Sequence, residues 1–378
     1  MANTLTGLIP TLYQAIDVIS RELAGMIPAV TLDANAARAA VGQSVTSPVA
    51  PVSAASDVTP GVTPPDDGDQ VIGNSAITIS KSRRVPVRWN GEQTLGVNTG
   101  PGQANILRDQ FAQAMRTLVN EVEADLTALY VLAARAHGTA GTTPFASNLS
   151  DTAQVLKMLK DNGAPESDLH LIINTTAGAA LRTLTQLTKS NEAGSDSLLR
   201  QGVLLDIHNF MIRESAQIKQ HTKGTGAGFL LNNGAGYSVG STDLDVDTGS
   251  GTVLAGDVVT LAGDTNKYLI GTALSGGALS LNEPGLREAH ANNDAMTVGS
   301  SFTANMAFHR GAIQLATRAP ALPDQGDMAV DRTFITDPVS GLTFEIAMYA
   351  QYRQVQYEVS LAWGVACNKP EHCALLLG

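Results

Sequence analysis

Three glycines at alternate positions, Gly224, Gly226 and Gly228, are the first residues whose spacing could do chemistry. A glycine-rich loop lets backbone N–H groups close on a phosphate. The dinucleotide fingerprint wants a further glycine at 229, where the chain has Phe229, and no Lys-Ser or Lys-Thr ending follows, so nucleotide binding is not expected. Asp243, Asp245 and Asp247 open like a calcium loop, but that loop needs Gly at its sixth position and Glu at its twelfth, and the chain has Thr248 and Leu254. With Leu244 and Val246 between them, these residues read as a strand that turns its acids outward. Cys367, His372 and Cys373 are of types that ligate zinc, which wants two close ligand pairs. They form one loose cluster and read as buried small residues. The seven histidines are scattered, His309 is read as structural within a helical stretch, and no Gly-x-Ser-x-Gly elbow occurs. No nucleophile, base and orienter set emerges. The expectation is a protein that is not an enzyme, with no catalytic residues, no cofactor and no metal.

Two charged groups stand out. Lys81-Ser82-Arg83-Arg84 is the densest positive cluster of a chain whose net charge is −11. Glu121, Glu123 and Asp125 fall on the polar side of a predicted helix and read as a solvated face. The acidic balance argues against a broad basic face that grips nucleic acid. Charged residues make up only 16% of the 378 residues, against a usual share of about a quarter. A surface so poor in charge suits one that ends against neighbouring subunits. Two cysteines make no disulfide framework, so a reducing cytoplasm is expected. No signal peptide and no long uncharged apolar run are visible, which predicts neither secretion nor a membrane span.

The elements follow from periodicity. Leu5, Ile9, Leu12, Ile16, Ile19, Leu23 and Ile27 recur at three or four and predict an amphipathic helix over 1–30. Residues 44–74, rich in Pro, Ser, Thr and Gly, read as extended. Ile77 and Ile79, then Val85, Val87 and Trp89, alternate with polar residues, which predicts a hairpin over 50–95 with Lys81-Ser82-Arg83-Arg84 at its turn. Ile106 to Leu132 carry the clearest helical period, predicting a helix over 104–137, roughly 45–50 Å long. Residues 151–220 alternate helix and strand: a helix capped by Asp151, a strand from Leu169 to Ile173, a helix capped by Thr175 or Thr176 through Leu187, and strands at Val203 to Ile207 and Phe210 to Ile212. Glycine then concentrates over 221–302, where short apolar runs separated by turns predict a small all-β domain. A helical patch over 304–317 and strands over 343–349 and 354–363 close an α+β body.

Residues 304–323, beginning Ala-Asn-Met-Ala-Phe-His-Arg-Gly-Ala-Ile, resemble a signature stretch of the major capsid (coat) proteins of tailed double-stranded-DNA bacteriophages, in the subgroup with an inserted domain. Leu361-Ala362-Trp363-Gly364-Val365-Ala366 with Lys369-Pro370-Glu371 is similar to that family's last strand and tail. Gly256-Asp257-Val258-Val259-Thr260-Leu261-Ala262-Gly263 resembles part of its inserted β-barrel, and Leu171-Ile172-Ile173-Asn174 a strand of its axial domain. The order of elements matches over nearly the whole chain, the first 60 residues only weakly.

The resemblance implies the tailed-phage major capsid fold: an N-terminal arm (1–49), an extended hairpin loop (50–95), a peripheral domain with a long spine helix (96–150), an axial domain (151–220), an inserted β-barrel (221–302) and closing strands (303–378). It implies an icosahedral shell of hexamers and pentamers, built on a scaffold protein around a portal protein in the host bacterial cytoplasm. Such a shell encloses double-stranded DNA without sequence-specific binding, becomes the capsid of the virion, and involves no membrane. Alternatives are a shell subunit of a cellular protein compartment and an unidentified α+β enzyme. Lys81, Arg83, Arg84, Trp89, Glu121, Glu123 and Asp125 are the expected inter-subunit contacts, with the basic turn meeting the acidic helix side of an adjacent copy.

Overall fold

The computed structural model describes residues 15, 24–49, 55–63, 69, 71–97, 102–188, 206–337 and 340–378. Most of the helix expected over 1–30 lies outside them, as do residues 203–205 of the strand expected over Val203 to Ile207. A 3-10 turn at Ile27–Ala29 leads into β1 (Thr31–Ala39), β2 (Ser44–Val49), β3 (Gly73–Thr78) and β4 (Lys81–Asn90). Helix α1 (Gly91–Val97), α2 (Gly102–Thr127), a 3-10 turn (Ala128–Leu132), β5 (Arg135–His137), α3 (Ser150–Asp161), β6 (Leu169–Ile173), α4 (Thr175–Thr183) and α5 (Thr185–Thr188) follow. The remainder is all strand: β7 (Phe210–Glu214), β8 (Gln220–His221), β9 (Phe229–Leu231), β10 (Asp243–Asp247), β11 (Val258–Leu261), β12 (Lys267–Ser275), β13 (Ala278–Leu281), β14 (Ala295–Val298), β15 (Phe302–His309), β16 (Ile313–Pro320), β17 (Ala329–Thr336), β18 (Thr343–Gln351), β19 (Gln354–Cys367) and β20 (Cys373–Leu377).

Two large sheets organise the mixed α+β body. One runs β1-β16-β19-β18-β17, with β4 on the free side of β19. The other runs β11-β14-β9-β10-β13-β12-β5-β20-β15-β6-β7, with β8 beside β15. Helix α2 lies on the first sheet. Phe111, Met115, Leu118, Val122 and Leu126 of its inner face are buried at the helical spacing, and Phe111 meets Tyr357 of β19 edge to face at 5.6 Å. Helices α3 and α4 cover the second sheet through Val155, Leu159, Ala177 and Leu181, packed on Leu169, Leu171 and Phe210. Strand β19 approaches the chain after β3 so closely that a Cβ on Gly364 would sit 2.1 Å from the Thr78 carbonyl oxygen, which only glycine allows.

Within the second sheet, β11, β14, β9, β10, β13 and β12 pair in sequence, and β11 also pairs with β12, so these six strands close a ring. Phe229, Leu231, Leu244, Val259, Ile270, Leu281 and Met296 fill it. Strand β10 alternates as the sequence requires: Leu244 and Val246 are buried, and Asp243, Asp245 and Asp247 face out.

Four expectations need correction. The hairpin is β2 with β3, joined through 50–72, while β4 pairs with β19 from Lys81 opposite Trp363 to Asn90 opposite Gln354. Alternation marks strands but does not name their partners, and only two residues separate β3 from β4, so Lys81-Ser82-Arg83-Arg84 is strand and not a turn. The 304–317 stretch is β15, a 3-10 turn (Arg310–Ala312) and β16, which places His309 at a strand end. Strand β15 is buried on both faces between β6 and β20, so it reads as a continuous apolar run with no period of two. Helix α2 ends at Thr127 and is about 39 Å long, because residues 135–137 are recruited as β5 between β12 and β20. The cap of α4 is Asn174, whose Oδ1 accepts from the Ala177 N–H at 2.8 Å, and not Thr175 or Thr176.

Candidate subunit-contact surface

The charged clusters meet inside the chain. Strand β4 crosses α2 so that Lys81 and Arg83, two apart on one strand face, stand over Asp125 and Glu121, four apart on one helix face. Two strand residues rise about 6.6 Å and four helical residues about 6 Å, so the rungs match. Lys81 Nζ is 2.7 Å from Asp125 Oδ1, and Arg83 Nε is 3.4 Å from Glu121 Oε2. Trp363 Nε1 donates to the other Asp125 oxygen at 2.9 Å. On the opposite face of β4, Arg84 pairs with Glu358 of β19 at 2.7 Å. The pairing expected between neighbouring copies is thus made in one chain, and Lys81 and Asp125 are committed to it. Arg83 and Arg84 keep 57% and 60% of their side chains exposed.

Glu123 is not on the solvated face. Two residues along a helix turn a side chain about 200°, and Glu123 is 1% exposed, pointing inward from between Glu121 and Asp125. Its carboxylate accepts the Met26 N–H at 2.7 Å and the Ile27 N–H at 3.1 Å. Burial pushes its carboxyl above the ordinary range, opposed by hydrogen bonds from Met26, Ser215, Ile27 and Gly25. It fastens the segment before β1 to the long helix. Trp89 is half-buried, donates from Nε1 to Gln110 Oε1 at 2.7 Å, and packs against the chain's own core. It also edges an open groove of about 780 Å³, lined by Leu95, Leu107, Arg353, Val355 and Tyr357.

Sequence reasoning passed over three buried polar sites. Glu345 of β18 is buried and takes both guanidinium nitrogens of Arg38 at 2.8 and 2.9 Å and one of Arg332 at 2.9 Å. Arg332 also pairs with Asp327, which accepts the Tyr349 hydroxyl at 2.9 Å. Burial opposes ionisation of Asp327, but these bonds and one from the Ala329 N–H bring its carboxyl down to about 2. The second site is a chain from the Tyr130 hydroxyl to His221 Nδ1 at 2.8 Å and from His221 Nε2 to Asp257 Oδ1 at 2.7 Å. All three residues are buried, so the relay acts as a staple between the turn after α2 and the start of β11. Asp257 also accepts the Gly224 N–H, so a carboxylate of the chain already occupies the glycine loop that resembled a phosphate cradle. The third is His170 of β6, buried with neither ring nitrogen hydrogen-bonded. Partners that come from different parts of the chain, up to 307 residues apart, carry no local period, so no pattern in the sequence announces such sites.

Apolar side chains without cover concentrate on the connection between β2 and β3. Val58, Val62, Val71 and Ile72 are 67–106% exposed. Among the described residues no helix is long and apolar enough to cross a membrane.

No protein-family model matches the chain, and no curated protein is similar to it. Solved structures are. The capsid of the cyanophage P-SCSP1u is 13% identical with a TM-score of 0.47, over 92% of this chain and 86% of that one. The mature capsid of bacteriophage PhiM1 is 9% identical with a TM-score of 0.45, over 93% and 85%. A virus-like particle from Pyrococcus furiosus is 10% identical with a TM-score of 0.46, over 97% and 98%. At such identities the functional reading rests on this chain's own residues. Capsids predominate among the solved structures to which the chain is similar.

Proposed function

We propose that the chain is a major capsid protein, a structural subunit that self-assembles into an icosahedral shell around a phage genome. The observation that carries the reading is the bare connection between β2 and β3. Val58, Val62, Val71 and Ile72 stand exposed outside any helix or strand, and none belongs to a buried cluster. Large apolar side chains exposed together mark a surface that something else covers, and in a repeating assembly a second copy supplies the cover. The low share of charge and the sequence resemblance point the same way.

In this reading β2, β3 and their connection are the extended loop. Helix α2 is the spine of the peripheral domain on the first sheet. Strands β5, β20, β15, β6 and β7 with α3 and α4 are the axial domain, and the ring from β9 to β14 is the inserted domain. Arg83, Arg84 and Trp89 remain contact candidates, Trp89 through the groove it edges. A net charge of −11 suits a wall that encloses DNA without gripping it. Scaffold and portal proteins are the expected assembly partners, the host cytoplasm the place of assembly and the virion the destination.

Electron microscopy and sedimentation of the full chain, expressed with its scaffold, test the proposal. Closed particles of uniform size are the expected result. A chain that remains monomeric at every concentration, alone and with scaffold, overturns it. Particles purified from the natural source should hold nuclease-protected DNA; a protein cargo in its place would identify a cellular compartment.

A further inference from the structure

The two tightest crossings between the large sheets lie side by side. Strand β15 passes to β16 through Arg310–Ala312, and β19 passes to β20 through 368–372. The Asn368 N–H donates to the Ala312 carbonyl at 2.8 Å and holds the crossings together. Cys367 is the last residue of β19 and Cys373 the first of β20, so one thiol belongs to each sheet. Both are free, and their sulfurs are 3.7 Å apart. A disulfide closes to about 2.05 Å, so each sulfur would move by only about 0.8 Å.

We propose that Cys367 and Cys373 are a thiol–disulfide modification site that clips one sheet to the other, formed by exchange with a low-molecular-weight disulfide such as oxidised glutathione. Cys367 is the more exposed of the two and attacks first. Its thiolate sulfur bonds to one sulfur of the small disulfide, whose S–S bond breaks. One small thiol leaves with the proton that Cys367 gave up. Cys373 then loses its proton, its sulfur bonds to Cys367 Sγ, and the second small thiol leaves with that proton. Two protein thiols are oxidised to one disulfide, and one small disulfide is reduced to two thiols.

The surroundings favour this order. The contact between the two sulfurs lowers the Cys367 thiol against the opposing effect of burial, while that contact and burial raise Cys373, whose S–H also faces the Lys369 carbonyl at 3.7 Å. The attacking thiol is therefore the accessible one, and the resolving thiol is protected until the mixed disulfide forms beside it. Closing the bond adds a covalent tie between two sheets that share one buried cluster, in which Leu315, Leu361 and Trp363 of the first lie with Met306, Phe308 and Leu375 of the second.

The test titrates the full chain with mixtures of oxidised and reduced glutathione. The wild type should lose both thiols together, with its mass lower by two hydrogens, no dimer on a non-reducing gel, and one peptide linking Cys367 to Cys373. Cys373→Ser should stall with glutathione on Cys367, and Cys367→Ser should react at least tenfold more slowly. A wild-type chain that stops at the mixed disulfide, or keeps both thiols while the urea-denatured chain oxidises, overturns the proposal. Amide hydrogen exchange around 310–313 and 368–373 should slow severalfold on oxidation; unchanged exchange overturns the clip.

Discussion

Glu123→Leu separates a solvated face from a buried anchor. The substitution nearly preserves side-chain volume and removes the acceptor of the Met26 and Ile27 N–H groups. Each buried donor left without a partner costs about 1–3 kcal/mol, so the two together cost about 2–6 kcal/mol, partly offset because no carboxylate is then buried. A net loss of about 2–4 kcal/mol is a large share of a stability of about 5–15 kcal/mol. Glu123→Gln keeps one acceptor oxygen and should lose about 1–2 kcal/mol at neutral pH. Urea unfolding followed by the fluorescence of Trp89 and Trp363 should show a lower midpoint with an unchanged slope. Amide exchange at Met26 and Ile27 should quicken in both variants. The carboxyl binds its proton more readily folded than unfolded, so its contribution is largest below the ordinary value of 4.5 and is lost as pH rises through the folded value. The gap between wild type and Glu123→Gln should therefore widen in acid. A Glu123→Leu chain within about 0.5 kcal/mol of wild type, with unchanged exchange at Met26 and Ile27, would refute the reasoning, since that is the usual range for an unconstrained surface position.

Four further outcomes follow. Reversing Arg83 and Arg84 to Glu should leave the chain folded, because exposed ion pairs contribute under about 1 kcal/mol each, yet block or misdirect assembly; added salt should restore it in part by screening beyond about 8–10 Å, and normal particles at low salt would show these residues idle. Trp89→Ala removes a bond to Gln110 and core packing, so the isolated chain should lose about 2–4 kcal/mol in urea unfolding, and loss confined to assembly would contradict the packing described. Burial, reinforced by Arg213 and Arg310, brings the His170 imidazole down to about 4, so the unfolded chain takes up this proton first and stability should fall as pH drops from 6.5 toward 4; His170→Leu should flatten that slope in pH-dependent melts. The ends of the 221–302 segment are cross-strand partners, Phe302 opposite His221, so the excised segment should give a β-type circular dichroism spectrum and a cooperative melt, and a disordered fragment would count against the ring as a folding unit.

What the sequence revealed depended on how far a signal reaches. The inner face of α2 and the alternation in β10 were legible because each element displays its own period over a few residues. Strand β15 was read as helix because burial on both faces erases alternation, and the end of α2 was overrun because Ala128 to Ala136 is good helical sequence that tertiary pairing claims for a turn and β5. The charged site was legible in its members and not in its connection. Lys81, Arg83, Glu121 and Asp125 were recognised as complementary, but whether complementary charges meet within one chain or between two depends on where β4 lies. Glu345 with Arg38 and Arg332 was invisible for the same reason, since its members come from β18, β1 and β17.

Strand β19 has a consequence for the birth of the protein. It bonds to β4 along one side and to β16 and β18 along the other, so the first sheet has no centre until β19 exists. Everything from β5 to β18 must be synthesised before Lys81 can find Trp363, and during that interval β4 presents an unpaired edge. A nascent edge of this kind invites pairing with other chains. Lys81, Arg83, Arg84 and Arg88, four cations in ten residues with Pro86 among them, guard it. Lys81 and Arg83, which later rest on the acidic side of α2, and Arg84, which later pairs with Glu358 of β19, are thus charges that disfavour edge-to-edge pairing until the partner strand has been made.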